Sequence, residues 1–201
     1  MTDIQEIEDD LSWREAELAT LRLLIVKGNL LDREKQVFFR AAWSLLYAHF
    51  EGFCKFSLTV YYDALKAKGL DIADLPLGIQ CFALSNDIKA LRIMPADQLV
   101  DQIQKFNYHY LQQKAEFPEV DTKSNLWPKT LEDLLVSADL QIPSLSENNR
   151  RLSTLVSRRN KIAHGERDMI LDYSYYLEFE HAALEVMYDL ALAIDTRLAA
   201  F

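Results

Sequence analysis

Two side chains in this sequence are suited to act together on a phosphodiester: Arg159, and His164 five residues further on. Arg159 offers a planar fork that grips two phosphate oxygens and stays charged as negative charge builds up. His164 carries the side-chain type whose ordinary pKa lies near neutrality, as a group that takes and returns a proton requires. Acting on RNA without a metal, His164 would take the proton of the 2′-hydroxyl. The freed oxygen would attack the adjacent phosphorus, and Arg159 would stabilise the crowded phosphorane. The expected product is a 2′,3′-cyclic phosphate, and DNA, lacking that hydroxyl, resists. Asn160 follows the arginine directly and Gly165 closes the segment. Positions 150 to 164 hold Arg150, Arg151, Arg158, Arg159 and Lys161 and no acidic residue, so Arg150, Arg151, Arg158 and Lys161 are the expected RNA contacts around the pair. The same residues admit a structural reading, with Arg159 on a neighbouring carboxylate and His164 finishing a helix end.

The spacing imposes a condition. Five residues along an α-helix turn through about 140° and rise about 7.5 Å, so Arg159 and His164 do not share a face of a regular helix. Either the helix unwinds at Gly165 and swings His164 round, or a second copy of the chain completes the site.

The element carrying the pair opens at Ser144-x-x-Glu147, which has the form of a capping box, and ends at His164-Gly165. The element best placed to support it is a much longer helix over residues 32–68, capped by Asp32 and stopped by Gly69. Its middle, from Ala41 to Cys54, is apolar nearly all round, as in a central helix contacted on several sides. Glu51 is the only formal charge in that run. A buried carboxylate needs a partner, and the motif helix is the richest source of cations, with Arg158 or Arg159 the expected partner, unless Glu51 faces a solvent gap between helices. His49, two residues away, cannot share its face. Gly52 weakens a helix interior by about 1 kcal/mol relative to Ala, which a close backbone approach would explain.

Around these two elements the pattern predicts further helices over residues 3–27, from Pro76 to about 91, over 96–114, over 130–138 and over 174–199. Residues 116–128 hold two prolines and no period, and read as a loop. Strand-like alternation is absent at useful length. The expectation is an all-α bundle of about five to seven helices in one domain, residues 1–201, around one long central helix. Tyr173, Tyr175 and Tyr176 read as core packing at the start of the last helix, with base stacking as the alternative.

Composition narrows the function. Against 22 Lys and Arg stand 31 Asp and Glu, a net charge of −9. That excludes a generic nucleic-acid coat protein, so any phosphate contact is local. Cys54 and Cys81 match no metal or redox spacing and read as reduced core thiols of a cytoplasmic protein. His109 and His181 stand alone and read as structural. No residue cluster has zinc spacing and no glycine-rich phosphate loop is present, so neither metal nor cofactor is expected. No apolar run reaches the roughly 20 residues that span a bilayer.

The string Arg159-Asn160-x-Ile162-Ala163-His164-Gly165 resembles the R-x4-6-H signature of the HEPN superfamily, in which Asn is common at the first variable position. Ala48-His49-Phe50-Glu51-Gly52-Phe53 resembles the stand-alone, toxin-like branch. The resemblance implies an all-α fold and a homodimer with two motifs facing each other. It also implies a metal-independent endoribonuclease with catalytic Arg159 and His164, serving as a toxin or antiviral-defence effector restrained by an antitoxin or other neutralising protein. Inactive members of the superfamily imply the alternative, a non-catalytic helical module that binds RNA or a partner protein. Glu166 stands where one branch carries the tyrosine of a His-x-Tyr motif, so adenylylation at that position is not expected.

Overall fold

The computed structural model describes residues 3–28, 30–170 and 172–201. Among them are eight α-helices: α1 (Asp3–Lys27), α2 (Asp32–Ala67), α3 (Leu77–Ala83), α4 (Ser85–Arg92), α5 (Ala96–Gln104), α6 (Pro128–Ala138), α7 (Pro143–Ala163) and α8 (Tyr173–Leu198). The helical plan is the expected one, with one more helix because the segment after Pro76 breaks at Leu84 into α3 and α4. The helix from Pro95 also stops early, passing into a π-turn at Asn107–Leu111. Strand-type pairing among the described residues amounts to one bridge between Asp71 and Lys114.

Apolar side chains around most of the circumference of α2 make it the centre. Trp43, Leu46, Phe50, Phe53, Leu58 and Leu65 are fully buried, and α1, α7 and α8 pack around them. Three hydrogen bonds show that α2 and α7 run antiparallel. The Tyr61 hydroxyl donates to the Ala138 carbonyl just ahead of α7 (3.0 Å), and the Trp43 indole N–H to the Leu155 carbonyl inside it (3.0 Å). Beyond its end, Arg40 donates to the carbonyl of Glu166 (2.7 Å). On the far side, Arg22 of α1 holds the fully buried Glu180 of α8 at 2.6 Å. Tyr176 is buried, and the Tyr175 ring lies beside Trp43, so the tyrosine cluster is packing.

Several local expectations are corrected. Leu31, not Asp32, caps α2: the Glu34 carboxylate accepts from the Leu31 N–H at 2.8 Å, and Asp32 falls inside the first turn. Ser144 is not a cap either. Pro143 occupies the first helical position, where its fixed φ and missing N–H cost nothing, so the cap moves back to Ile142. The backbone N–H of Ser144 instead donates to Asp189 of α8 (3.3 Å). At Gly52 the close neighbour is a guanidinium rather than backbone, since an added Cβ would lie 2.9 Å from Arg14 Nη1. Cys54 is a buried thiol, its pKa pushed up by burial, but Cys81 is exposed on the outer side of α3.

α3 lies so close to α6 that a Cβ on Gly78 would sit 2.3 Å from the Val136 carbonyl oxygen. Backbone cannot give way as a side-chain tip can. Gly78→Ala is therefore expected to lower the unfolding free energy by about 1–3 kcal/mol, despite alanine's better helix propensity. Urea denaturation at fixed pH measures it.

Candidate active site

α7 is two-faced, and its two candidate catalytic residues lie on different faces. Leu145, Asn148, Leu152, Leu155 and Val156 are buried, and at 100° per residue Arg159 continues that inward row. His164 is exposed, about 140° further round. The helix does not unwind to bring it back. The His164 N–H still bonds the Asn160 carbonyl (2.9 Å), and the chain then leaves through a Schellman turn. Gly165 adopts φ 78°, its N–H reaches the Ile162 carbonyl (3.1 Å), and the Glu166 N–H reaches Lys161 (2.9 Å). Of the two arrangements that the spacing allows, the single chain does not form the first.

Helical side chains lean toward their own N-terminus, and in an antiparallel pair this carries Arg159 along α2 toward Glu51. The guanidinium lies 3.7 Å above the Tyr47 ring centroid, and Nη2 is 3.7 Å from Glu51 Oε2. Glu51 thus has its arginine, and it is Arg159. That ion pair is longer than a hydrogen bond, and Arg159 Nε has no hydrogen-bond partner. Both side chains remain partly accessible, Arg159 at 21% and Glu51 at 23%. Tyr47 supplies the flat support. Burial pushes its phenol above the ordinary range although the Leu126 amide and Arg159 pull it down, so it stays neutral. Its hydroxyl accepts the Leu126 N–H at 2.7 Å, which fixes the loop at residues 116–128 against the site.

The other basic residues divide by face. Arg150 and Lys161 are exposed, and no carboxylate pairs with either among the described residues. Arg151 donates to the Asn148 side chain (3.3 Å). Arg158 is drawn into the structure: it donates to the Met169 carbonyl (3.0 Å), lies 3.8 Å from Asp168, and sits over Trp43 and Tyr175. Asn160 is half-buried, and its carbonyl serves the helix end. Residues 165–170 are held from α2 as well, through Arg40 and through Gln36, whose side chain donates to the Ile170 carbonyl (2.8 Å). Sequence reasoning missed Tyr47, Arg40 and Gln36. Tyr47 was findable, since it lies one turn from Glu51 on the same face; the other two grip backbone, which leaves no sequence signal.

A family model described as MAE_28990-like HEPN matches residues 4–201, nearly the whole chain. The chain belongs to this HEPN family. No curated protein and no solved structure matches it. HEPN domains are nuclease and RNA-related modules, and the Arg159/His164 motif of this one lies at the end of α7. Among the described residues, no group of three His, Cys, Asp or Glu is placed to hold a metal ion. No described helix is long and apolar enough to cross a membrane.

His49 of this HEPN domain faces α1, away from the motif. It is 3% exposed, with Nε2 at 2.8 Å from Glu17 and the Trp13 ring edge-on at 5.3 Å. Arg14, held by Asp10 at 2.7 Å, lies 3.5 Å from Nδ1. A guanidinium only donates, so Nδ1 carries the lone pair and Nε2 the proton, which lies beside the Glu17 carboxylate without hydrogen-bond alignment. Burial holds the imidazole below its ordinary range, outweighing the pull of Glu17. The unfolded chain, protonating near pH 6.5, then binds more protons than the fold, so stability falls as pH drops below about 6.5. His49→Gln should flatten the change in denaturation midpoint between about pH 7.5 and 5.5 relative to the unsubstituted protein.

Proposed function

We propose that this HEPN domain is a metal-independent endoribonuclease whose site is completed by a second copy of the chain. The observation that carries the reading is the state of Arg159. Its fork is aimed by Tyr47 and Glu51, yet Nη2 stays 3.7 Å from the carboxylate and the side chain keeps a partly open surface, while Nε is buried without a partner. An arginine kept only for packing would close a tight hydrogen-bonded pair. Arg159 would hold the phosphate and its developing charge, with Glu51 and Tyr47 orienting it, and His164 would move the proton. Because Arg159 and His164 of one chain face apart, each site takes Arg159 from one copy and His164 from the other, as a two-fold dimer permits. Arg150, Arg151, Arg158, Asn160 and Lys161 surround that cleft. A toxin or defence effector of this kind acts in the cytoplasm and needs a neutralising protein.

A second reading is favoured by the same inward turn of Arg159: a non-catalytic module that binds RNA or a protein, with Glu51–Arg159 purely architectural. The two separate in EDTA. The nuclease reading expects cleavage of a generic RNA to 2′,3′-cyclic phosphate ends, lowered about 100-fold or more by either Arg159→Ala or His164→Ala. Mixing the two inactive variants is the sharper measurement. Random exchange yields half mixed dimers with one intact site of two, so about a quarter of the original rate should return. A site built within one chain would recover nothing, and binding without cleavage in every preparation would leave the second reading.

A further inference from the structure

We propose that α5 is a self-association surface, whose outward face pairs about a two-fold axis with the same face of a second copy of the chain. Ala96, Leu99, Val100 and Ile103 have the i, i+3, i+4, i+7 spacing that falls within about 100° of the helix circumference. An amphipathic helix on the surface of a domain ordinarily turns such a row inward, and α5 does not. Val100 and Ile103 are 55% and 59% exposed, and Ile93, at the bend before the helix, is 85% exposed. Ala96 is exposed as well, and Leu99 is half-buried. Polar groups face inward in their place. Asp101 and Gln102 are half-buried, Asp101 holds Lys105 at 2.6 Å, and the Gln102 side-chain carbonyl accepts from the Tyr110 hydroxyl at 3.1 Å. Among the described residues, α5 is the one α-helix that buries no side chain.

Charge selects the occupant. The chain carries a net −9, yet residues 85–105 hold Asp87, Asp97 and Asp101 against Lys89, Arg92 and Lys105, a local balance of zero. A neutral apolar patch offers no net attraction to an anionic membrane or a nucleic acid, whereas two copies of an acidic chain meet there without the repulsion of their net charge. Lys89, Arg92 and Asp97 are exposed without an ionic partner among the described residues, so a second copy can supply either sign. Packing is self-complementary too. Reversing α5 against itself about its middle sets Val100 against Val100, with the small Ala96 of one copy opposite the larger Ile103 of the other. Asp97 and Gln104 lie about 20° apart at opposite ends of the helix, so each Asp97 carboxylate comes within reach of the other copy's Gln104 amide. The patch supplies about ten residues, fewer than the 20–30 a side of a standard interface, so the association is weak, with Kd on the order of 100 μM. It is also remote from the motif. Residues 70–115 leave α2 at its C-terminal end, whereas Arg159 sits at the middle of α2 and Glu166 beside Arg40 near its start. The contact is therefore separate from a pairing of motifs and does not depend on one.

Analytical ultracentrifugation of the full chain over about 10–500 μM, a range spanning that Kd, provides the test. Because Val100 meets Val100, Val100→Glu and Val100→Lys should each weaken the association about tenfold or more, by setting like charges face to face. An equimolar mixture of the two variants should regain it to within about threefold, since opposite charges then meet. Val100 is exposed, so far-UV circular dichroism of both variants should match that of the unsubstituted chain. Any pairing of motifs is unaltered by these substitutions, and an association step indifferent to position 100 belongs to that other contact. Association that is the same in the unsubstituted chain and in both variants overturns the α5 contact, as does the absence of any concentration dependence. Loss in both variants with no recovery on mixing shows α5 meeting some other surface, and overturns the two-fold pairing. Flotation of the unsubstituted chain with anionic phospholipid vesicles, abolished by Val100→Glu and kept by Val100→Lys, would make a membrane the occupant and overturn it as well. A chain that self-associates through Val100 but cleaves no RNA leaves the α5 contact standing and removes the nuclease.

Discussion

The register of the α2–α7 seam rests on one hydrogen bond, from the Trp43 indole to the Leu155 carbonyl. An indole N–H is only a donor, and burying it unpaired would cost a few kcal/mol, so α7 must present a carbonyl at that height. Leu155 lies one turn before Arg159, which makes the bond a gauge for the cation above Tyr47 and Glu51. Slipping the seam by one turn, about 5.4 Å, would orphan the indole and carry Arg159 off both partners. Phe179 at 4.6 Å and the Arg158 guanidinium at 5.6 Å close round the same ring, so α8 and the end of α7 are gauged by it too. The end of the molecule that carries the Arg159/His164 motif is positioned by an aromatic residue outside the motif.

From that register the two faces of α7 acquire separate duties. The inward row ends in Arg159, whose surroundings are set by α2; the outward side ends in His164, whose place is set by the helix stop at Gly165. Their separation is a property of the five-residue spacing itself, and the fold preserves it. A closed active site within one chain would need the last turn to melt, and the Schellman bonds from Gly165 and Glu166 hold that turn shut. Restraint by Arg40 and Gln36 on the following link tightens it further.

What could be read from the residues alone was the part governed by period and by scarcity. The apolar circumference of α2 announced its central place, and Glu51, the lone charge in that run, announced that it needed a cation. The stops at Gly69 and Gly165 were legible because a glycine after a periodic run has few other meanings. Errors came where two local signals competed. Ser144-x-x-Glu147 has the letters of a capping box, but Pro143 fits the first helical position better and displaces it. Asp32 lost its cap to Leu31 because Glu34 reaches back to the backbone. Gly52 reads as a close backbone approach, and the neighbour is instead a guanidinium thirty-eight positions earlier, which spacing could not name. Cys81 reads as core because it matches no metal or redox spacing, a criterion that says nothing of which way the helix turns it, and α3 leaves it exposed.

The stretch between Leu70 and Ala115 gives the molecule an unusual freedom. Its ends are stapled to each other by the Ile72 N–H on the Gln113 carbonyl (2.9 Å) and the Ala115 N–H on Leu70 (3.0 Å). Between the staples, α5 buries no residue at all, and its Val100 and Ile103 are open to solvent. α3 is fixed against α6, but residues 92–114 bury no side chain and can lengthen, shorten or change sequence at little entropic cost, because closing a loop depends only weakly on its length. Inheritance can therefore rework this excursion while the Trp43 gauge, and the motif it sets, stay untouched. Diversity among relatives should gather there first.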